Sequence, residues 1–131
     1  MPKRTTSTKP GTRKTMRNVS YESLVVSWLM QDGWQVFQPI LDHAHKTDIL
    51  ISDGPNFHRI QVKTSDQAKD SMNIQNLWEG SYVDWVVLFA KNSNWGYVFP
   101  AFKQKSRKLN AEGHLKFQQT RSAFLKAFHQ L

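Results

Sequence analysis

Residues 47–64 read TDILISDGPNFHRIQVKT, and this stretch decides the fold. Two short apolar runs, Asp48–Ser52 and Phe57–Thr64, flank Asp53-Gly54-Pro55-Asn56, a strong turn signal. If residues 53–56 form the turn, Ser52 faces Phe57 and Asp48 faces Gln61. Directly opposed side chains lie on one face, with Cβ atoms about 4.5–5.5 Å apart. Lys63, two residues beyond Gln61, shares that face. Ile49, Ile51, Ile60 and Val62 point to the other. The hairpin thus gathers Asp48, Gln61 and Lys63 over an apolar underside. A turn one residue longer or shorter would scatter them.

Upstream, Ser20 is placed to cap a helix whose apolar stripe is Tyr21, Leu24, Val25, Trp28 and Leu29. Asp32-Gly33 ends it, with the glycine suited to a left-handed cap. Glu22 sits at the edge of the stripe, where a carboxylate can face a sheet instead of water. Trp34–Pro39 reads as a strand and residues 40–47, ILDHAHKT, as a loop. Downstream, residues 65–80 are polar and ambiguous, and Tyr82–Ala90 and Trp95–Pro100 read as strands. Phe117, Arg121, Phe124, Phe128 and Leu131 recur at helical spacing and predict a C-terminal helix. The order is that of an α/β (α+β) domain with a mixed central sheet flanked by helices.

The 131 residues suffice for one domain with a core, and the 16 aromatics supply bulk. No apolar run approaches the roughly 20 residues that span a bilayer, and no apolar signal core follows the basic N-terminus. A soluble cytoplasmic protein, nucleoid-associated when bound to DNA, is expected. Cysteine is absent, so disulfides and thiolate metal sites are excluded, and any metal must be held by oxygen or imidazole.

The net charge of +8 is unevenly spread. Residues 1–20 contribute +6 through Lys3, Arg4, Lys9, Arg13, Lys14 and Arg17; residues 101–131 contribute +6; the middle is −4. Basic ends around a less basic middle suit a catalytic core gripped to phosphates. Residues 1–17 read as a flexible basic arm and 18–131 as one domain with a basic C-terminal helix. The arm's bases and Lys103, Lys105, Arg107 and Lys108 are the candidate DNA contacts.

A carboxylate and an amide oxygen suit a hard cation such as Mg2+, with Mn2+ able to substitute. With Lys63 nearby, such a set can hydrolyse phosphodiesters. Alone, the pattern is more often that of a surface ion pair beside a strand glutamine. Wider context comes from YESLVVSWLMQDGWQVFQPI, TDILIS and FHRIQVKTS, which together resemble the core of the PD-(D/E)XK nuclease superfamily. The likeness is greatest to small intron-encoded homing endonucleases, in which Gln replaces the motif's acid, and extends to archaeal-type Holliday junction resolvases. It covers about residues 20–100; Thr47 stands where the motif has proline. The resemblance implies a restriction-endonuclease-like αβββαβ core. It implies Asp48, Gln61 and the Val62 carbonyl, with Glu22, as metal-site groups, and Lys63 as the catalytic lysine. The activity implied is metal-dependent cutting of double-stranded DNA, by a homodimer or a higher symmetric assembly. The alternatives are a resolvase acting on branched DNA and a non-catalytic nucleic-acid-binding protein on a nuclease scaffold.

Other residues carry weaker signals. His43 and His45 form an H-x-H pair able to touch metal or phosphate, though a loop pair without a third ligand is commonly plain surface. Asp84 and Trp78, Trp85 and Trp95 read as structural, and Glu79 as solvated. Asn73, Gln75 and Asn76 could read base edges or belong to an ordinary connection.

Overall fold

A computed structural model describes residues 1–42 and 44–131. Helix α1 spans Pro10–Gln31, and a second helix, α2, spans Arg121–Phe128. Between them run β1 (Gln35–Phe37), β2 (Ile49–Ser52), β3 (Phe57–Ser65), β4 (Asn73–Gln75), β5 (Trp85–Ala90), β6 (Trp95–Pro100), β7 (Ser106–Lys108) and β8 (Leu115–Gln118). Six strands form one sheet in the order β1-β2-β3-β5-β6-β8, and β4 and β7 form a separate ribbon. Only the central β3–β5 pairing is parallel among the pairings of the large sheet.

The hairpin has the register its turn dictates. Ile49 pairs with Ile60 and Ser52 with Phe57. Ser52 and Asp53 accept the turn's N–H groups from Gly54 and Asn56, and Gly54 has φ +116°. The apolar underside is buried: Ile49, Ile51 and Ile60 are 0% exposed. They pack with Tyr21, Val25, Trp28 and Leu29 of α1 and with Phe124 and Phe128 of α2. Both helices therefore cover one face. A second cluster, including Trp78, Leu88, Phe99 and Phe102, fills the other face beneath the β4–β7 ribbon. The ribbon covers that face because Ile74 and the nearby Leu109 supply the apolar contact.

Four expectations are corrected. Helix α1 begins ten residues before Ser20, so residues 10–17 belong to the helix and not to an arm. Pro10 sits at the first helical position, where its fixed φ favours the start and its missing N–H costs nothing. Ser20 is mid-helix and its hydroxyl donates to the Arg17 carbonyl. Leu24 lies outside the buried stripe and is exposed. The crossover from β3 to β5 carries β4 and no helix. Phe117 belongs to β8, and α2 starts only after Thr120, whose side chain accepts from the Ala123 N–H. Phe117 fits a helical spacing only because strand and helix point it and Phe124 into the same core.

Candidate active site

Asp48 stands immediately before β2, opposite Gln61 of β3 by continuation of the hairpin register. Its backbone N–H donates to the Ile60 carbonyl at 3.0 Å, and its Oδ2 accepts from the Val62 N–H at 2.7 Å. The carboxylate is thereby fixed against β3. Glu22, three residues before the buried Val25 on α1, reaches the same point. Its carboxyl hydrogen-bonds Asp48, and burial with the neighbouring Asp48 charge pushes its pKa up to about 7. Burial also raises Asp48, against the pull of the Val62 N–H and of Glu22. Without a cation, two close acids in a half-buried site hold a proton between them.

Lys63 completes the cluster. Burial and the nearby Lys46 lower its pKa, while the charge of Asp48 acts the other way. Its Nζ lies 5.8 Å from the centroid of the Trp78 ring. That ring is held by its Nε1–H, which donates to the Phe102 carbonyl at 3.0 Å. Trp78 was read as core, and it is 4% exposed; its contact with Lys63 had no signal in spacing, because the crossover brings it there. Asp42 is a further residue the sequence reading passed over. Its charge acts on both Glu22 and Asp48.

Whether this set fits a cation is tested by its unpaired atoms. Among the described residues, buried Gln61 Oε1 and Asp42 Oδ1 lack hydrogen-bond partners. A buried amide oxygen without a donor is costly, and a hard cation is a group that would relieve it. The donor set is all oxygen, as Mg2+ or Mn2+ prefers. Among the described residues there is no cluster of three or more His, Asp or Glu side chains, so the fit rests on two acids and an amide.

The other candidates fall outside this cluster. His45 is exposed in the β1–β2 loop, and His43 lies outside the described residues. Ala44 and Lys46 in that loop have φ of 66° and 60°, unusual for residues with a Cβ. Asp84 is structural: its Oδ2 accepts from the Arg59 N–H at 2.7 Å and its N–H donates to the Arg59 carbonyl, joining β5 to β3. Asn76 donates to the Phe102 and Gln104 carbonyls, so its amide N–H groups hold the chain and do not face a ligand. Asn73, Gln75 and Glu79 are exposed. Of the basic residues, Lys3, Arg4 and Lys9 precede α1, and Arg13, Lys14 and Arg17 lie exposed on its first turns. Lys103 and Lys105 sit on the β6–β7 loop and Arg107 and Lys108 on β7, not on the C-terminal helix.

The model of the PD-(D/E)XK endonuclease family matches residues 20–130. The chain belongs to this PD-(D/E)XK endonuclease family. Among curated proteins none matches it. Two solved structures are similar to it. The bacterial homing endonuclease I-Ssp6803I is 16% identical with a TM-score of 0.54, over 81% of this chain and 75% of its own. The Holliday junction resolvase Hjc of the archaeon Archaeoglobus fulgidus is 14% identical with a TM-score of 0.47, over 83% and 88%. At such identities the first likeness is one of fold. No helix among the described residues is long and apolar enough to cross a membrane.

Proposed function

We propose that this PD-(D/E)XK nuclease is a metal-dependent endonuclease that hydrolyses phosphodiester bonds of double-stranded DNA. The observation that carries the reading is the buried, unpartnered Gln61 Oε1 beside the Glu22–Asp48 pair, on the face that Lys63 shares. Asp48, Gln61, the Val62 carbonyl and Glu22 would hold Mg2+, or Mn2+ in its place. When bound, the cation acidifies a water and neutralises charge on the phosphate. Glu22 must release its proton first. Asp48 stays in place through the Val62 N–H. The Lys63 ammonium faces the charge that grows on the phosphate, and its partial burial strengthens that interaction. The Trp78 ring limits where the ammonium can go.

One such site cuts one strand, so cutting a duplex calls for two copies in a symmetric homodimer or larger assembly. The test is incubation with supercoiled plasmid, linear duplex and a four-way junction, with Mg2+, Mn2+ or EDTA, beside Lys63→Ala. Cleavage is expected with metal and lost in the variant. A preference for the junction selects resolvase activity, and a preference for duplex selects the homing type. Binding without cleavage, after a genomic library also survives intact, overturns the catalytic reading in favour of a binding protein.

A further inference from the structure

The sequence places Arg13, Lys14 and Arg17 in a flexible arm; the structure builds them into a walled site. These three exposed side chains of α1, together with Asp66 and Lys91, line a cavity of about 330 Å3. Its floor is rigid. The Lys91 side chain is only 5% exposed, and its Nζ donates to Asn18 Oδ1 at 2.9 Å and pairs with Asp66 Oδ1 at 3.1 Å. An ammonium has three donors, so these two contacts leave one over. The Arg17 guanidinium donates to the Lys91 carbonyl at 2.6 Å, and the Tyr21 hydroxyl donates to the same oxygen at 3.4 Å. The walls carry four bases against one acid. A buried lysine held by a polar network beside three further bases suits an anion with several oxygens.

The cavity adjoins the proposed active site along two elements. Asn18, which holds Lys91, is one helical turn before Glu22 on α1, and Thr64 Oγ1 donates to Asn18 Oδ1 at 3.4 Å. Asp66 follows Lys63 by three residues, in the turn just past the end of β3.

We propose that Arg13, Lys14, Arg17 and Lys91 form a seat for a backbone phosphate of the bound DNA. The seat rests on the nuclease reading above and adds to it a built grip on the DNA backbone. Asp66 is its gate. It neutralises Lys91 in the free protein and yields to the arriving phosphate.

The test is fluorescence anisotropy of a labelled DNA duplex in EDTA across a salt series, so that binding is read without chemistry. Arg13→Ala/Lys14→Ala, both on exposed helix positions, should lower the slope of log affinity against log salt by about 0.9, the share of one phosphate, and affinity at least about tenfold. Asp66→Asn should raise affinity about two- to fivefold by releasing Lys91 and removing the one opposing charge. Asp53→Asn makes the same charge change at the hairpin tip, at the far end of the nine-residue β3, and should change affinity far less. Thermal unfolding checks that each variant folds. An unchanged slope in the double variant overturns the seat, as do equal gains from Asp66→Asn and Asp53→Asn, which would mark a diffuse charge effect. Metal-dependent cleavage by the wild type in parallel keeps the two questions apart: cleavage with an unaffected slope sinks the seat alone. A wild type that neither binds nor cuts DNA sinks both.

Discussion

Glu22→Gln should stabilise the metal-free protein while abolishing its cleavage activity. In the folded protein the Glu22 carboxyl is pushed up to about 7 from an ordinary 4.5, by burial and by Asp48. Between those values the folded chain holds a proton that the unfolded chain has released. Stability therefore falls as pH rises through that window, and the penalty is complete above pH 7. A rise of about 2.5 pH units corresponds to about 3.4 kcal/mol at 1.36 kcal/mol per unit. Glu22 is partly exposed and water screens it, so about 1.5 kcal/mol is the expected effect. Glutamine keeps the shape and donates to Asp48 at every pH, and it carries no charge. Urea denaturation in EDTA at pH 5 and pH 8 reads the difference. Near pH 5 the two proteins should differ little; at pH 8 the variant should be more stable by about 1.5 kcal/mol. Taking the difference between the two proteins cancels the titrating groups that Glu22 does not touch; Asp48, its partner, remains part of the pair being measured. Equal stability at both pH values would show that Glu22 and Asp48 do not burden each other, and the carboxylate pair would lose its basis.

Other outcomes follow from named contacts. Lys63→Ala should lose cleavage and retain fold and DNA affinity, measured on the plasmid substrate and by circular dichroism. Asp48→Asn should weaken Mg2+ binding in isothermal titration, and Mg2+ should raise the melting temperature of the wild type more at pH 8 than at pH 5.5, because the cation and the Glu22 proton compete. Deleting residues 1–9 removes Lys3, Arg4 and Lys9 and leaves α1 whole, so the salt slope of DNA binding should fall by no more than about 2.7. Gly96→Ala should destabilise the fold by about 2 kcal/mol or more in urea, since a Cβ there would meet the Leu88 carbonyl at 2.5 Å and Phe117 Cζ at 2.6 Å.

The hairpin was legible because local chemistry determines it. A four-residue turn rich in Asp, Gly, Pro and Asn sets the register, and the register sets the face. Glu22 was legible from the helical wheel. The contributions of Trp78 and Asp42 were not, because each arrives through a connection whose path tertiary packing decides. Residues 10–17 misled for another reason: charge and the absence of an apolar stripe read as disorder, while the helix there is propagated from its packed half and tethered through Arg17 to β5's end. The Lys9-Pro10 step was the available signal for that start. β7 and β8 are three and four residues long, too short for periodicity to reveal.

The early start of α1 has a mechanical consequence. At 22 residues it is a rod of about 33 Å, close to one turn of duplex DNA. Its basic beginning and Glu22 belong to one unbroken spiral, so their separation and their angular offset are set together. Inserting a single residue between Arg17 and Glu22 would lengthen that spacing by only about 1.5 Å, yet would turn one group about 100° away from the other. The helix behaves as a gauge with a fixed pitch. Lengthening it by one residue should harm the protein more than removing any one of its charges.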